Sequence, residues 1–153
     1  MKKLSVYLDA TIPNYVFNTH TPEKQKFATL LFEAIKQGKL EAFISKVVID
    51  EIAASPEPKQ TKIANILKDV SVLEVTDECN ELAEEYIHRR IIPAKNKEDA
   101  LHIAIASYYG LDAVVSYNFE HIVKLKTKRE ISGTNLALGY KVVDLVIPEE
   151  VLE

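Results

Sequence analysis

Three carboxylates and one amide stand at positions from which they could act together on one substrate: Asp9, Glu51, Asp99 and Asn118. Three carboxylates within a few ångströms of one another stay ionised only if a cation compensates their charge. Mg²⁺ or Mn²⁺ suits such oxygen ligands and keeps waters in its coordination shell. A bound ion of this kind lowers the pKa of a water and neutralises charge that develops during phosphodiester hydrolysis. The residue types therefore indicate metal-assisted phosphoryl chemistry.

Five short apolar segments predict the strands that would position these groups. They cover residues 4–8, 40–44, 70–75, 113–116 and 141–146. Segments with little polar alternation are typical of strands covered on both faces. Because helical patterns separate them, we predict an α/β fold. Its three layers, α/β/α, would enclose a central parallel sheet of about five strands with right-handed crossovers.

The predicted helices between these strands have recognisable starts and ends. Thr21 and Pro22 begin the first of them and Gly38 ends it, while Ser45 is the N-cap of the next. Residues 98–109 are apolar or small around most of the helix, which predicts that this helix is buried. Further helices are predicted over residues 46–54, 60–69 and 77–90, with one helical turn at 119–122 and a helix end at 135–138.

Strand polarity decides which acids can meet. Asp9 and Asn118 directly follow predicted strands, so they belong to the edge of the sheet where parallel strands end. Glu51 comes about one helical turn after a strand, and Asp99 lies in the first turn of a helix antiparallel to the strand it feeds. Both therefore reach the same edge. Asp112 precedes its strand and should lie at the opposite edge.

Length, charge and composition limit the classes of protein to consider. The 153 residues predict a single domain, 1–153, and the one cysteine fits a reducing, cytoplasmic setting. No apolar run approaches the ~20 residues that span a bilayer. The net charge of −4 argues against a nucleic-acid coat protein, although carboxylates that hold a metal leave a nuclease possible. With only 4 glycines and no glycine-rich phosphate loop, a nucleotide-binding enzyme is not expected.

Four motifs, in order along the chain, carry a resemblance to a known family: VYLDATIPNYVF, SKVVIDEI, KEDALHIAIA and VVSYNFEHIV. Together with the closing NLALGYKVVDLVIPEEV they resemble the PIN-domain family, and within it the VapC-like toxin ribonucleases of bacterial toxin–antitoxin modules. The resemblance implies a Mg²⁺- or Mn²⁺-dependent endoribonuclease acting on RNA. It further implies a homodimer and a cognate antitoxin protein. Asp9, Glu51 and Asp99 match the first, second and third acids of the family, which hold the metal.

The fourth family position departs from the pattern, because Asn118 stands where many PIN domains have an acid. An amide can orient a water or bind a metal weakly, but it supplies no charge. Thr11 matches a small hydroxyl residue of the first motif and could support Asp9, and His121 could contact a substrate phosphate. The alternative function is a non-catalytic or weakly active PIN-type module that binds RNA or protein.

Several neighbouring residues have simpler interpretations. Asp50 and Glu98 are expected on exposed helix faces beside Glu51 and Asp99, and Asp9 could merely cap a following turn or helix. His102 follows Asp99 on the buried helix and is more simply a hydrogen-bonded core histidine than a metal ligand. The basic residues 124–129 could hold RNA backbone, although a solvated helix face explains them equally well.

Overall fold

Five parallel strands form a single sheet in the computed structural model, which describes residues 2–152. Their order across the sheet is β3-β2-β1-β4-β5. In chain order they are β1 (Leu4–Leu8), β2 (Leu40–Ser45), β3 (Ser71–Leu73), β4 (Ala113–Val115) and β5 (Asp144–Val146). The predicted three-layer α/β fold with a five-stranded parallel sheet is confirmed, and β1 occupies its centre.

Helices connect all the strands and flank the sheet. They are α1 (Thr11–Val16), α2 (Pro22–Lys36), α3 (Lys46–Ala53), α4 (Lys59–Ile66), α5 (Asp77–His88), α6 (Lys97–Tyr108), α7 (Leu125–Leu138) and α8 (Pro148–Val151). Short 3₁₀ turns cover Leu67–Asp69 and Ala94–Asn96. None of the helices within residues 2–152 combines the length and apolar character needed to cross a membrane.

Helix α1 is the element that the sequence pattern did not predict. Pro13 occupies the third position of this six-residue helix. The first N–H groups of a helix have no partner within it, so a proline there removes no hydrogen bond. Strand β1 ends at Leu8, before Pro13 is reached, and Pro13 is compatible with the first turn of α1. The predicted turn at 119–122 is present, since Ile122 N donates to Asn118 O at 3.1 Å.

Strand β1 and the elements that pack on it form the centre of the molecule. Val6, Tyr7 and Leu8 are fully buried, as expected for a strand covered on both faces. Helix α6 has seven buried residues, which confirms that it is an interior helix. It packs against α5 and also contacts β1 and β4. The start of α6 and the end of β1 are thereby held at the same edge of the sheet.

Candidate active site

Asp9 lies at the carboxyl end of the central strand and is almost completely buried, with 2% of its surface exposed. Its Oδ1 accepts hydrogen bonds from Thr11 N at 3.1 Å and from the Thr11 hydroxyl at 2.5 Å. Its Oδ2 accepts from the Ser116 hydroxyl at 2.5 Å. Burial raises the pKa of Asp9, while His102 and these donors oppose the rise by favouring the ionised form.

Thr11 and Ser116 also join the ends of β1 and β4. The Thr11 hydroxyl oxygen accepts from Tyr117 N at 2.9 Å, and the Ser116 hydroxyl oxygen accepts from Asn118 N at 2.9 Å. Each side chain thus donates to Asp9 and accepts from the backbone that follows β4. The support of Asp9 by Thr11 is present as expected, and Asp9 also caps the turn that leads into α1.

Glu51 is connected to the core through a histidine. Oε1 of Glu51 lies 2.8 Å from His102 Nε2, and 36% of the Glu51 side chain is exposed. His102 Nδ1 lies 2.7 Å from the Tyr7 hydroxyl, which lies 2.7 Å from the Ser45 hydroxyl. His102 is therefore the hydrogen-bonded core residue that the simpler interpretation anticipated. Ser45 is the N-cap of α3, as expected, because its hydroxyl accepts from Val47 N.

Asp99 is half-buried in the first turn of α6. Burial is the main cause that raises its pKa, and the negative charges of Asp9 and Glu51 raise it further. His102 and His121 act in the opposite direction. Asp9, Glu51 and Asp99 thus lie near enough to influence one another's charge. The argument from strand polarity correctly predicted that these acids lie at one edge of the sheet.

Asn118 lies beside this group but its amide oxygen already has a partner. Oδ1 accepts from His121 N at 3.0 Å and so caps the turn after β4. The imidazole of His121 is mostly buried, with 15% of its side chain exposed, and Nε2 lies 3.6 Å from Glu120 Oε1. His121 is close enough to lower the pKa of Asp99. The turn after β4 thus brings His121 within electrostatic range of Asp99, and the amide oxygen of Asn118 is used within the turn itself.

The acids excluded by sequence reasoning lie where it placed them. Asp112 bonds Ser5 and Lys141 at the opposite edge of the sheet, where β1 begins. Asp50 is exposed and pairs with Lys46 at 3.3 Å, one turn earlier on α3. Glu98 is exposed beside the half-buried Asp99.

Sequence reasoning missed Tyr7 and Ser116 as parts of the site. Tyr7 lies in an apolar strand and has no polar neighbour in sequence that would signal a buried hydroxyl contact. Ser116 had a signal, since it is polar and directly follows a buried strand. Its contact with Asp9 joins residues 107 positions apart, so it follows only from the pairing of β1 with β4.

Comparison with known proteins decides the family. The PIN domain model matches residues 6–125. The chain belongs to the PIN-domain family. The resemblance carried by the four motifs is thereby confirmed, and no curated protein matches the sequence.

Two solved structures share the PIN fold of this chain. VapBC2 from Rickettsia felis, bound to a DNA fragment from its promoter, superposes with a TM-score of 0.56 at 18% identity, covering 76% of this chain and 90% of that one. VapC20 from Mycobacterium tuberculosis, a toxin that cleaves the Sarcin-Ricin loop, gives a TM-score of 0.56 at 19% identity, covering 75% and 89%. At these identities the likeness concerns the fold.

The donor set at this edge of the PIN fold fits a hard divalent cation. Its carboxylate oxygens are the ligands that Mg²⁺ prefers. Burial is the main cause that raises the pKa values of Asp9 and Asp99, and a cation would stabilise the ionised carboxylates that burial disfavours. Within residues 2–152 no three His, Cys, Asp or Glu side chains converge closely enough to enclose an ion by themselves. Mg²⁺ commonly uses one or two carboxylates and completes its shell with waters. The residues therefore suit an ion held partly through water.

Proposed function

We propose that the protein is a metal-dependent endoribonuclease that hydrolyses RNA phosphodiester bonds with Mg²⁺ or Mn²⁺. The observation that carries the proposal is the placement of buried Asp9, at the end of the central strand, near half-buried Asp99 in the first turn of α6. Burial is the main cause that raises the pKa of Asp99, and the charges of Asp9 and Glu51 raise it further. Acids grouped in this way destabilise one another unless a cation joins them. Perturbed acids of this kind are characteristic of functional sites.

Each residue has a proposed role. Asp9, Glu51 and Asp99 hold the metal directly or through its waters. When bound, the metal supplies an activated water and neutralises charge on the phosphate. Thr11 supports Asp9 in its ionised form through two donated hydrogen bonds.

The turn after β4 has its own proposed part. Asn118 uses its oxygen to hold that turn, which leaves its amide N–H groups to orient a water or a substrate oxygen. His121 contacts a substrate phosphate.

We extend the proposal to the biological setting. The fold likeness to a VapC toxin and to a VapBC2 complex supports a toxin of a type II toxin–antitoxin module. Such a protein would be a cytoplasmic homodimer with a cognate antitoxin protein as its partner. A small antitoxin-like reading frame beside the gene is the expected observation. Its absence would contradict the toxin assignment and leave the nuclease proposal intact.

Matched substitutions on neighbouring residues test the nuclease proposal. Asp99→Asn is compared with Glu98→Gln, and Glu51→Gln with Asp50→Asn, because each pair shares a helix but only one member faces the site. RNA cleavage is measured with Mn²⁺ or Mg²⁺ and with the metal chelated. We expect Asp99→Asn and Glu51→Gln to lower the cleavage rate about a hundredfold or more, and both controls to match the wild type. Equal activity within each pair would contradict the proposal.

The second candidate is a PIN-type module that binds RNA or protein without cleaving it. The neutral Asn118 and the lack of a three-ligand group within residues 2–152 favour it. Calorimetric titration with Mn²⁺ distinguishes the two functions. Binding that Asp99→Asn weakens and Glu98→Gln preserves supports the nuclease. No binding at millimolar Mn²⁺, together with intact RNA binding, supports the module.

A further inference from the structure

An uninterrupted series of buried hydrogen bonds runs from the interior of the sheet to Glu51. Tyr7 and Ser45 are fully buried and His102 is 1% exposed. The contacts Ser45–Tyr7 and Tyr7–His102 measure 2.7 Å each, and His102–Glu51 measures 2.8 Å. We call these four residues the Glu51 chain. They bring together β1, the end of β2, α3 and α6.

The chemistry of Glu51 fixes the donor at the end of the series. An ionised carboxylate can only accept a hydrogen bond, so His102 Nε2 carries a proton and donates it to Glu51. The Tyr7 hydroxyl is the hydrogen-bond partner of His102 Nδ1 and also of the Ser45 hydroxyl. The Ser45 hydroxyl oxygen accepts from Val47 N at 3.2 Å.

The Glu51 chain contacts helix α3 twice. Ser45 caps the first turn of α3 through Val47 N, and Glu51 projects from the same helix further along. Tyr7 from the central strand and His102 from α6 join these two points. Helix α3 has eight residues, of which Val48 and Ile52 are buried in the core, while Glu51 projects from its partly exposed side. Because the backbone of α3 does not fix the rotamer of Glu51, the hydrogen bond from His102 orients its carboxylate.

We infer that Tyr7 and His102 are positioning residues for Glu51. Tyr7 orients the His102 ring through Nδ1, and the Nε2–H of His102 fixes Oε1 of Glu51. Among residues 2–152 no group donates to Oε2, which leaves that oxygen for a metal-bound water or the metal. The role of Glu51 in hydrolysis rests on the proposed function, whereas the hydrogen bond from His102 Nε2 to Glu51 does not. Supporting groups of this kind commonly change metal affinity or activity 10- to 100-fold when removed.

Nitrogen-15 NMR of the metal-free protein tests the hydrogen bond from His102 to Glu51 directly. Two-bond correlation spectra of ¹⁵N-histidine protein distinguish protonated from bare ring nitrogens, and His20, His88 and His121 serve as internal references. We expect a protonated His102 Nε2 whose resonance is moved by Glu51→Gln and unmoved by Asp50→Asn. Both substitutions lie on exposed positions. A bare Nε2, or equal spectra for the two variants, would overturn the inference.

Tyr7→Phe removes the hydrogen-bond partner of His102 Nδ1 and is matched by Tyr86→Phe. Tyr86 is also a buried tyrosine whose hydroxyl bonds two polar side chains, but these are Ser107 and Asn135. We expect Tyr7→Phe to change the His102 nitrogen resonances and Tyr86→Phe to leave them in place. Identical His102 resonances in all three proteins would count against the inference.

Mn²⁺ affinity and RNA cleavage test the positioning role. His102→Ala should weaken Mn²⁺ binding at least about tenfold, and His102→Gln, which keeps an N–H donor, should recover part of that loss. Equal affinity for wild type and His102→Ala overturns the positioning role. If His102 Nε2 is protonated and responds to Glu51→Gln but the wild type cleaves no RNA under any metal condition, the proposed function fails and the Glu51 chain stands.

Discussion

Replacing Asp112 by asparagine separates an acid that stabilises the fold from the acids of the site. Oδ1 of Asp112 accepts from Lys141 Nζ at 2.8 Å, and Oδ2 accepts from Ser5 N at 2.9 Å. These bonds, chiefly the one from Lys141, lower the pKa of Asp112 from 3.8 to about 2. Because the folded carboxyl group holds its proton less tightly than the unfolded one, its ionisation favours folding. Asparagine removes this contribution.

The magnitude follows from the difference between the two pKa values. A fall from 3.8 to about 2 corresponds to about 2.4 kcal/mol at 1.36 kcal/mol per pH unit. The side chains of Lys141 and Asp112 are 51% and 27% exposed, so solvent screening leaves about 1–2 kcal/mol at pH 7. The stabilisation by ionised Asp112 is complete at pH values above the pKa of Asp112 in the unfolded chain. It falls to about half by pH 3 and disappears below pH 2. At pH 7 the loss corresponds to roughly 3–6 °C in Tm.

Urea denaturation followed by far-ultraviolet circular dichroism measures this effect in a chain that has no tryptophan. Asp144→Asn, at an exposed position at the start of β5, is the matched control. We expect Asp112→Asn to lose about 1–2 kcal/mol at pH 7 and about half as much at pH 3, with normal RNA cleavage. A loss below about 0.5 kcal/mol, or the same loss at both pH values, would refute the reasoning.

Three further substitutions address the core, a helix end and the support of Asp9. Tyr86→Phe leaves buried Asn135 without its hydroxyl donor and should lower the free energy of unfolding by about 1–3 kcal/mol in the same urea assay; wild-type stability would show that the hydroxyl is dispensable. Gly139→Ala places a β-carbon at φ 82° after α7, so a loss of about 1 kcal/mol is expected, and no loss would contradict the role of that backbone angle. Ser116→Ala removes the donor to Oδ2 of Asp9 and should raise the Mn²⁺ concentration for half-maximal cleavage about tenfold. The surface control Ser71→Ala should leave that concentration unchanged, and equal Mn²⁺ curves for the two variants would contradict the support of Asp9 by Ser116.

Strand order and polarity explain why much of the site was predictable. A parallel sheet brings every strand end to one edge, so residues that follow strands must gather there. This rule placed Asp9 and Asp99 together and sent Asp112 to the other edge without any knowledge of distances. The angle between neighbouring residues on a helix showed that Glu51 and Asp50 cannot both face the site, and the resemblance to the PIN-domain motif selected Glu51.

The contacts between distant side chains explain why the rest was not predictable. In the sequence, Tyr7 is indistinguishable from the other apolar residues of its strand. Its hydrogen-bond partners Ser45 and His102 lie 38 and 95 positions away along the chain. Helix α1 was missed because a proline is compatible with two structures. Pro13 is excluded from the interior of a strand, which suggested a break, but it is also tolerated in the first turn of a helix. The sequence predicts which face of an element is buried, but it does not predict which buried hydroxyl meets which acceptor.

The burial of α6 affects how freely the site can move. Seven of its residues are buried, so its amide protons should exchange with solvent only when much of the core opens. His102 belongs to that buried segment, whereas α3 has two buried residues. The contact from His102 to Glu51 therefore joins a helix with few buried residues to an interior one. An opening of α3 that breaks this contact would separate Glu51 from the other two acids.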